Sequence, residues 1–564
     1  MATAATSTSS PSSLQFPAPG SSSPHSLPSI RIWPPNPSTR STLVKRLAGH
    51  LSADSFFSQR YGKISPEEAL LHAERIEQEA FVAASEHADS ESADIAVVQF
   101  YAKEASRLML ECLKKGPTDH EEGADDKLQQ VQSERSVDSM PRETVFDISD
   151  GNREFLSEES ASELLKPLAD PGNTYSTICL SNRSFGEDAA RVAGKILEAL
   201  RSQLTEVNLA DIVAGRNEEE ALAVLSIFSS ALSGCNLKYL NLSDNALGEK
   251  GVRAFSGLLE SQKNLEELYF MNNGISEEAA EAIYELLPSS KGLKVLHFHN
   301  NMTGDGGAIA LSHLVRAADS LEDFRCSSTR VATEGGVALA EALLAGSSLK
   351  KLDMRDNPFG VDGGIALAKP LKQHLDLKEV YLSYLGFEDE GAEAVLDALK
   401  GAAPGLEVLE LAGNELTVNS VEKLVSCIAS KINLVKLNLS ENDLEDKGVV
   451  AVCNALDNGS EQLVELDLSE TNIGRIGACA AAQVVALKPG FQLLNLNGNH
   501  ISEAGIEALK SALGKGTNGT TVLGPLDEND EDEGRKDADE DSENDKEDGD
   551  VDDDLQAQFS NVKV

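Results

Sequence analysis

The chain has 564 residues, 93 of them acidic and 49 basic, for a formal net charge of −44 at neutral pH. That balance excludes a nucleic-acid or anionic-membrane surface and favours a basic protein partner. No apolar run approaches the roughly 18 residues that span a bilayer, so no direct membrane insertion is expected. The seven cysteines are scattered and hold no C-x-x-C pair, which argues for reduced thiols and against a disulfide or zinc framework.

Residues 1–29 are rich in Ser, Pro, Ala and Thr and contain no Lys or Arg. They lack the charged start and apolar core of a signal peptide and read as a disordered leader. The character changes near Ile30, where Trp33, the only tryptophan, precedes Pro34 and Pro35. Helical patterns follow from Thr39 to Leu51, Pro66 to Ala84 and Ala93 to Leu113. Ser65 before Pro66, with Glu68 three places after the serine, is a good helix start. Residues 30–113 thus form a small all-α domain, in which Trp33, Pro34 and Pro35 would by themselves be a packing brace. Residues 114–142 are polar and serve as a linker. Residues 143–174 regain Val145, Phe146, Ile148, Phe155, Leu164 and Leu165, the apolar set needed to cap the open end of a repeat array.

From residue 175 to 515 one phrase recurs, L-x-x-L-x-L-x-x-N-x-L. It begins at Leu237, Leu265, Leu293, Leu321, Leu349 and Leu377 in steps of 28, and continues at Leu406, Leu434, Leu463 and Phe491. Apolar residues alternate around Leu240 and Leu242, as in a half-buried strand, and switch to helical spacing about ten residues later, as in Glu277 to Leu287. One such unit cannot bury its apolar face alone, so units stack. The fold class is α/β, a leucine-rich-repeat solenoid of the ribonuclease-inhibitor-like horseshoe type.

The ninth-place asparagines, Asn245, Asn273, Asn301, Asn357, Asn414, Asn442 and Asn499, are expected to satisfy turning backbone, a structural ladder broken at Thr329, Leu385 and Thr471. Residues between core positions can meet a partner. They include Glu267, Tyr269, Met271 and Asn272, then Val295, His297, His299 and Asn300, and later Arg325, Asp353, Arg355, Asp356, Tyr381 and Tyr384.

One repeat departs from the period. The phrase starting at Leu204 is 33 residues from Leu237, and its extra length is expected in a rim loop. That loop carries Arg216, followed by Glu218, Glu219 and Glu220. The bland reading is a surface ion pair worth about 0–1 kcal/mol. After the repeats, residues 516–564 form an acidic disordered tail, densest from Asp527 to Asp554, that can steer a basic partner over long range.

Particular phrases resemble one family. Trp33-Pro34-Pro35, the segment Arg40 to Leu47 and the segment Arg75 to Phe81 look like the WPP domain of plants. DIVAGR, Asp211 to Arg216, and MNNG, Met271 to Gly274, resemble loops of Ran GTPase-activating proteins. Further family-like stretches run from Leu242 to Phe255, Val295 to Gly304, Phe324 to Val331 and Leu439 to Gly448. The combination resembles plant Ran GTPase-activating proteins.

The resemblance implies stimulation of GTP hydrolysis on Ran, in support of nucleocytoplasmic transport and mitosis. On that resemblance Arg216 and Asn272 would make the activating contacts, and the GTPase would supply nucleotide, Mg²⁺ and glutamine. Asp244, Glu267, Tyr269, Asn300 and Asp356 would bind the GTP form of the partner. Trp33, Pro34 and Pro35 would target the chain through coiled-coil proteins. The expected location is cytoplasmic, at the outer face of the nuclear envelope, and on mitotic structures in dividing cells. No cofactor, metal or active site of the chain's own is expected, since no phosphate loop, metal cluster or Ser-His-Asp arrangement is present. The rival is a non-catalytic repeat scaffold or inhibitor that binds a basic protein.

Overall fold

The computed structural model describes residues 37–52, 64–88, 97, 101, 103–105, 107–109, 112, 144–150, 153–457 and 459–530. The leader, Trp33, Pro34, Pro35, the linker and residues 531–564 of the tail lie outside the described residues, whereas residues 516–530, expected to be disordered tail, close the last repeat, with Val522 5 % exposed and the Asn529 side chain accepting the Ile501 N–H at 3.0 Å. The chain divides into two compact units, before and after the junction of residues 136 and 137.

In the first unit, helices span Pro37–Ser52 and Pro66–Ala88. The second starts as expected, with the Ser65 hydroxyl accepting the Glu68 N–H at 3.2 Å. Ala69, Ala73, Ile76, Ala80 and Ala84 fall at helical spacing and are all buried with Leu47 and Leu51. Val97, Tyr101, Ala105 and Cys112, each helical, complete that core. One charge is buried among them. Glu77 is 4 % exposed and accepts two hydrogen bonds from Arg40 at 2.6 and 2.8 Å, while the same guanidinium lies 3.6 Å from the Phe81 ring centre. A buried carboxylate needs such a bidentate partner to offset its lost hydration.

In the second unit the strands are three residues long. They are β1 (Val145–Asp147), β2 (Glu154–Leu156), β3 (Thr177–Cys179), β4 (Arg183–Phe185), β5 (Glu206–Asn208), β6 (Tyr239–Asn241), β7 (Glu267–Tyr269), β8 (Val295–His297) and β9 (Asp323–Arg325), with six more to Leu493–Asn495. Among the described residues they form a 13-stranded parallel sheet, while β2 and β4 pair separately. The constant repeat length sets the register. Leu240 lies opposite Leu268, Leu268 opposite Leu296 and Leu296 opposite Phe324, so the central apolar residues stack into one core.

The segment assigned as the cap enters both sheets through β1 and β2. Phe146 and Ile148 are 8 % exposed and Leu165 is 1 % exposed, but Phe155 is 59 % exposed. Phe155 and Leu156 are neighbours on β2, and successive side chains on a strand face opposite ways, so only Leu156 turns inward. Counting Phe155 with the core was therefore an error of alternation. Most of the extra length of the irregular repeat lies in its loop. Nine residues separate β5 from the helix Glu218–Leu232, against six between β8 and the helix Gly304–Ala317, and those helices have 15 and 14 residues.

The ninth-place asparagines behave as a ladder. The Asn273 side-chain oxygen accepts the Asn245 N–H at 2.9 Å, and its amide donates to the Leu242 carbonyl at 3.0 Å. Asn301 likewise accepts the N–H groups of Asn273 and Ile275, both at 3.0 Å. Threonine at 329 cannot reach back this way, so the Asn301 N–H turns to the Ser328 carbonyl at 3.1 Å. At Leu385 the Asn357 N–H takes the Tyr384 carbonyl in the same manner, at 3.2 Å.

A second position, 25 residues after the opening leucine, closes the helix ends and is not legible as a motif. Gln262 accepts the Leu237 N–H at 3.2 Å, and His374 Nδ1 accepts the Leu349 N–H at 3.3 Å while Nε2–H donates to the Leu343 carbonyl at 3.1 Å. Lys431, 1 % exposed, instead donates to the Leu399 and Ala402 carbonyls at the end of the preceding helix, at 2.5 and 2.6 Å.

His374 must stay neutral to accept at Nδ1, and burial holds its pKa below the ordinary value. Below about pH 6.5 the unfolded chain therefore binds more protons at this site than the folded one, and stability falls with pH. His374→Gln, borrowing the residue used at 262, should lose less stability than wild type between pH 7.5 and 5.5 in denaturant titrations. Parallel losses in the two proteins would count against the assignment.

Candidate functional site

The eighth place of each repeat is where the strand turns. Asp211, Asp244, Asn272, Asn300, Ser328 and Asp356 all have φ between 52° and 62°. Asn and Asp tolerate this left-handed backbone better than most residues, which explains their recurrence. The turn aims the eighth side chain onto the rim and the ninth into the core. Asn272 is exposed while Asn273 is 0 % exposed.

Arg216 follows Gly215, whose φ of +74° suits only glycine, and whose missing Cβ would stand 2.9 Å from the Phe155 ring. Its guanidinium is tethered at three points. Nε donates to the Ser184 hydroxyl at 3.0 Å, Nη2 to the Ser184 carbonyl at 2.8 Å and Nη1 to the Glu220 carboxylate at 3.2 Å. Its central carbon lies 5.2 Å from the Phe155 ring centre. Ser184 donates in turn to the Ala214 carbonyl at 2.7 Å, tying the loop to β4. The Arg216 side chain is 16 % exposed. Asn217, not Arg216, caps the following helix, accepting the Glu220 N–H at 3.0 Å.

Arg216 and Asp244 line one cavity of about 750 Å³, whose floor includes Leu222 and Leu225. Asn272, Asn300 and Asp356 line an open groove of about 630 Å³ with Ser328 and Arg330. The two are linked, since Asn272 Nδ2 donates to Asp244 Oδ1 at 2.6 Å. Glu267 and Tyr269 are placed apart from these cavities, on β7. The Tyr269 hydroxyl donates to Glu267 at 2.7 Å, and its ring packs on Tyr239 and on His297, at 5.2 and 4.9 Å between centres. Burial and then Glu267 push the Tyr269 pKa up, so it remains a donor.

The strand face continues with compensated charge. His297 Nε2 lies 3.1 Å and Arg325 Nη2 2.9 Å from Asp323. Burial raises the Asp323 pKa, but the hydrogen bonds from His297 and Arg325 outweigh it and hold the carboxyl at about 2. Arg355 bridges Asp353 and Glu410 at 2.8 and 2.9 Å and lies 4.6 Å from the Tyr381 ring centre. Phe155, Ser184 and Arg330 were missed as site residues by sequence reasoning. Alternation on β2 could have flagged Phe155; nothing local marks Ser184, which meets Arg216 from 32 residues away.

Comparison with known proteins gives a consistent result. The WPP domain model matches residues 29–123, and a leucine-rich-repeat model matches 235–256, 347–368 and 430–453. RAN GTPase-activating protein 2 of Arabidopsis thaliana is 60 % identical over 513 residues, covering 91 % of this chain and 92 % of that protein. RAN GTPase-activating protein 1 of the same plant is 54 % identical over 508 residues, covering 89 % and 91 %. WPP domain-containing protein 2, also from Arabidopsis thaliana, is 41 % identical over 86 residues, 15 % of this chain and 48 % of that one. With a WPP match ahead of the repeats and such identity across nearly the whole length of both relatives, the chain belongs to the plant RAN GTPase-activating proteins.

Proposed function

We propose that the chain accelerates GTP hydrolysis by Ran, acting on the GTP-bound form and positioning Ran's own catalytic groups. The observation that carries this reading is the tethering of Arg216. A guanidinium held by Ser184 and Glu220 and covered by Phe155 is not a free finger that swings toward a γ-phosphate. It stiffens the loop Val213 to Asn217, and the exposed amide of Asn272 then meets the GTPase's glutamine. GTPase catalysis rests on positioning and electrostatics, so fixing one side chain and its water is enough to speed it greatly. In this reading the chain has no active site and no cofactor of its own. Glu267, Tyr269, Asn300 and Asp356 form the surrounding contact surface, and the acidic rim favours encounter with a basic partner.

The WPP segment, with Trp33, Pro34 and Pro35, would hold the chain at the cytoplasmic face of the nuclear envelope by binding coiled-coil proteins, and would carry it to mitotic structures.

The test is GTP hydrolysis on preloaded Ran with this chain at a small fraction of the GTPase concentration. Multiple turnovers per molecule of chain are expected. Stoichiometric binding by folded protein without acceleration would replace the activator with the repeat scaffold or inhibitor.

A further inference from the structure

We propose that Asp244 is a positioning residue that sets which way round the Asn272 amide points. The proposal rests on the reading of Asn272 as the group that meets the GTPase's glutamine.

Asp244, Asn272 and Asn300 stand at the same place in three successive repeats, 28 residues apart, with φ of 62°, 54° and 57°. Their backbones are paired to the next repeat, through the Asp244 N–H to the Met271 carbonyl at 2.9 Å, Asn272 to His299 at 3.3 Å and Asn300 to Ser327 at 2.9 Å. Identical backbone on paired rungs stacks the three side chains along the rim. Asn300 Nδ2 donates to Asn272 Oδ1 at 2.5 Å, and Asn272 Nδ2 donates to Asp244 Oδ1 at 2.6 Å.

An amide can be turned end for end at little steric cost, since its oxygen and nitrogen are nearly the same size. A line of amides alone would have two equivalent polarities. A carboxylate only accepts, so a carboxylate at one end permits a single polarity, with the nitrogen of Asn272 toward Asp244 and its oxygen toward Asn300. One Nδ2 hydrogen and one lone pair of Oδ1 remain for a partner, because no other hydrogen bond of this side chain occurs among the described residues. Those are the donor and acceptor that a glutamine side chain needs.

In the free protein these groups are exposed and water competes with the line. Once a docked GTPase excludes water, the polarity has no substitute and Asn272 meets its target already oriented. Asp244 thus serves the rate in the complex and not the stability of the fold.

The experiment compares Asp244→Asn, Asn272→Gly and the double variant in steady-state hydrolysis on GTP-loaded Ran, with thermal midpoints of each. Asp244→Asn replaces the accept-only end with a reversible amide. It should lower kcat about fivefold while leaving KM within about twofold and the melting midpoint unchanged. In the Asn272→Gly background the same substitution should have no further effect on kcat. If Asp244 instead meets a basic side chain of the partner, Asp244→Asn will raise KM at constant kcat, by the same factor in either background, and the proposal is overturned. A kcat untouched by Asn272→Gly alone would overturn the underlying reading of Asn272 and the proposal with it.

Discussion

Arg216→Ala is expected to reduce stimulated GTP hydrolysis on Ran by about a thousandfold while weakening binding of the GTP form by less than about tenfold. The asymmetry follows from where the side chain sits. It is largely covered, so it contributes little contact area to a partner. What it contributes is order, joining β4 through Ser184 to the helix start through Glu220, with the Phe155 ring on its face. Without it, the loop that abuts Asp244 in the same cavity loses its three-point anchor. Arg216→Lys should fail nearly as badly. A single ammonium cannot donate at once along the Nε and Nη2 directions that reach the two oxygens of Ser184. The pair of variants is read by single-turnover hydrolysis beside equilibrium binding to Ran loaded with a slowly hydrolysed GTP analogue. Equal losses of rate and affinity in Arg216→Ala, or full activity in Arg216→Lys, would contradict this role.

Two adjacent asparagines should respond in opposite ways. Asn272→Gly is expected to fold normally, because glycine is at ease at φ 54°, and to lose about a hundredfold in stimulated rate. Asn273→Ala should instead destabilise the repeats. Its side chain is fully buried and its oxygen accepts the Asn245 N–H, which alanine leaves without a partner, while the Leu242 carbonyl keeps the Asn245 amide at 3.0 Å. One stranded buried donor costs about 1–3 kcal/mol. Denaturant titration of the two variants beside wild type separates them. A shifted midpoint for Asn272→Gly together with an unshifted one for Asn273→Ala would reverse the assignment of eighth and ninth places.

Much of the architecture was legible because it repeats. The 28-residue step from Leu237 onward marked the strands, their register and the buried ladder, since each depends on residue type at a fixed local offset. Arg216 and Asn272 stood out through the wording of their loops. Around them legibility failed wherever the repeat was irregular. Phe155 looked like one more core residue, but its place beside Leu156 on β2 turns it outward. No local motif marks Lys431 and His374, although each closes backbone groups of a helix end or strand start 25 to 32 residues away.

Sequence alone determined the stacked α/β repeats, the inward and outward faces of the strands, the acidic character and the kinship of the two loops. Periodicity carries that information because a residue's face depends only on its own offset in the repeat. Tertiary structure alone decided that Ser184 and Phe155 cradle Arg216, and that Asp244, Asn272 and Asn300 form a polar line. Those contacts cross from one repeat to the next, and they depend on the left-handed turn and on the pairing of β2 with β4, which no local pattern encodes.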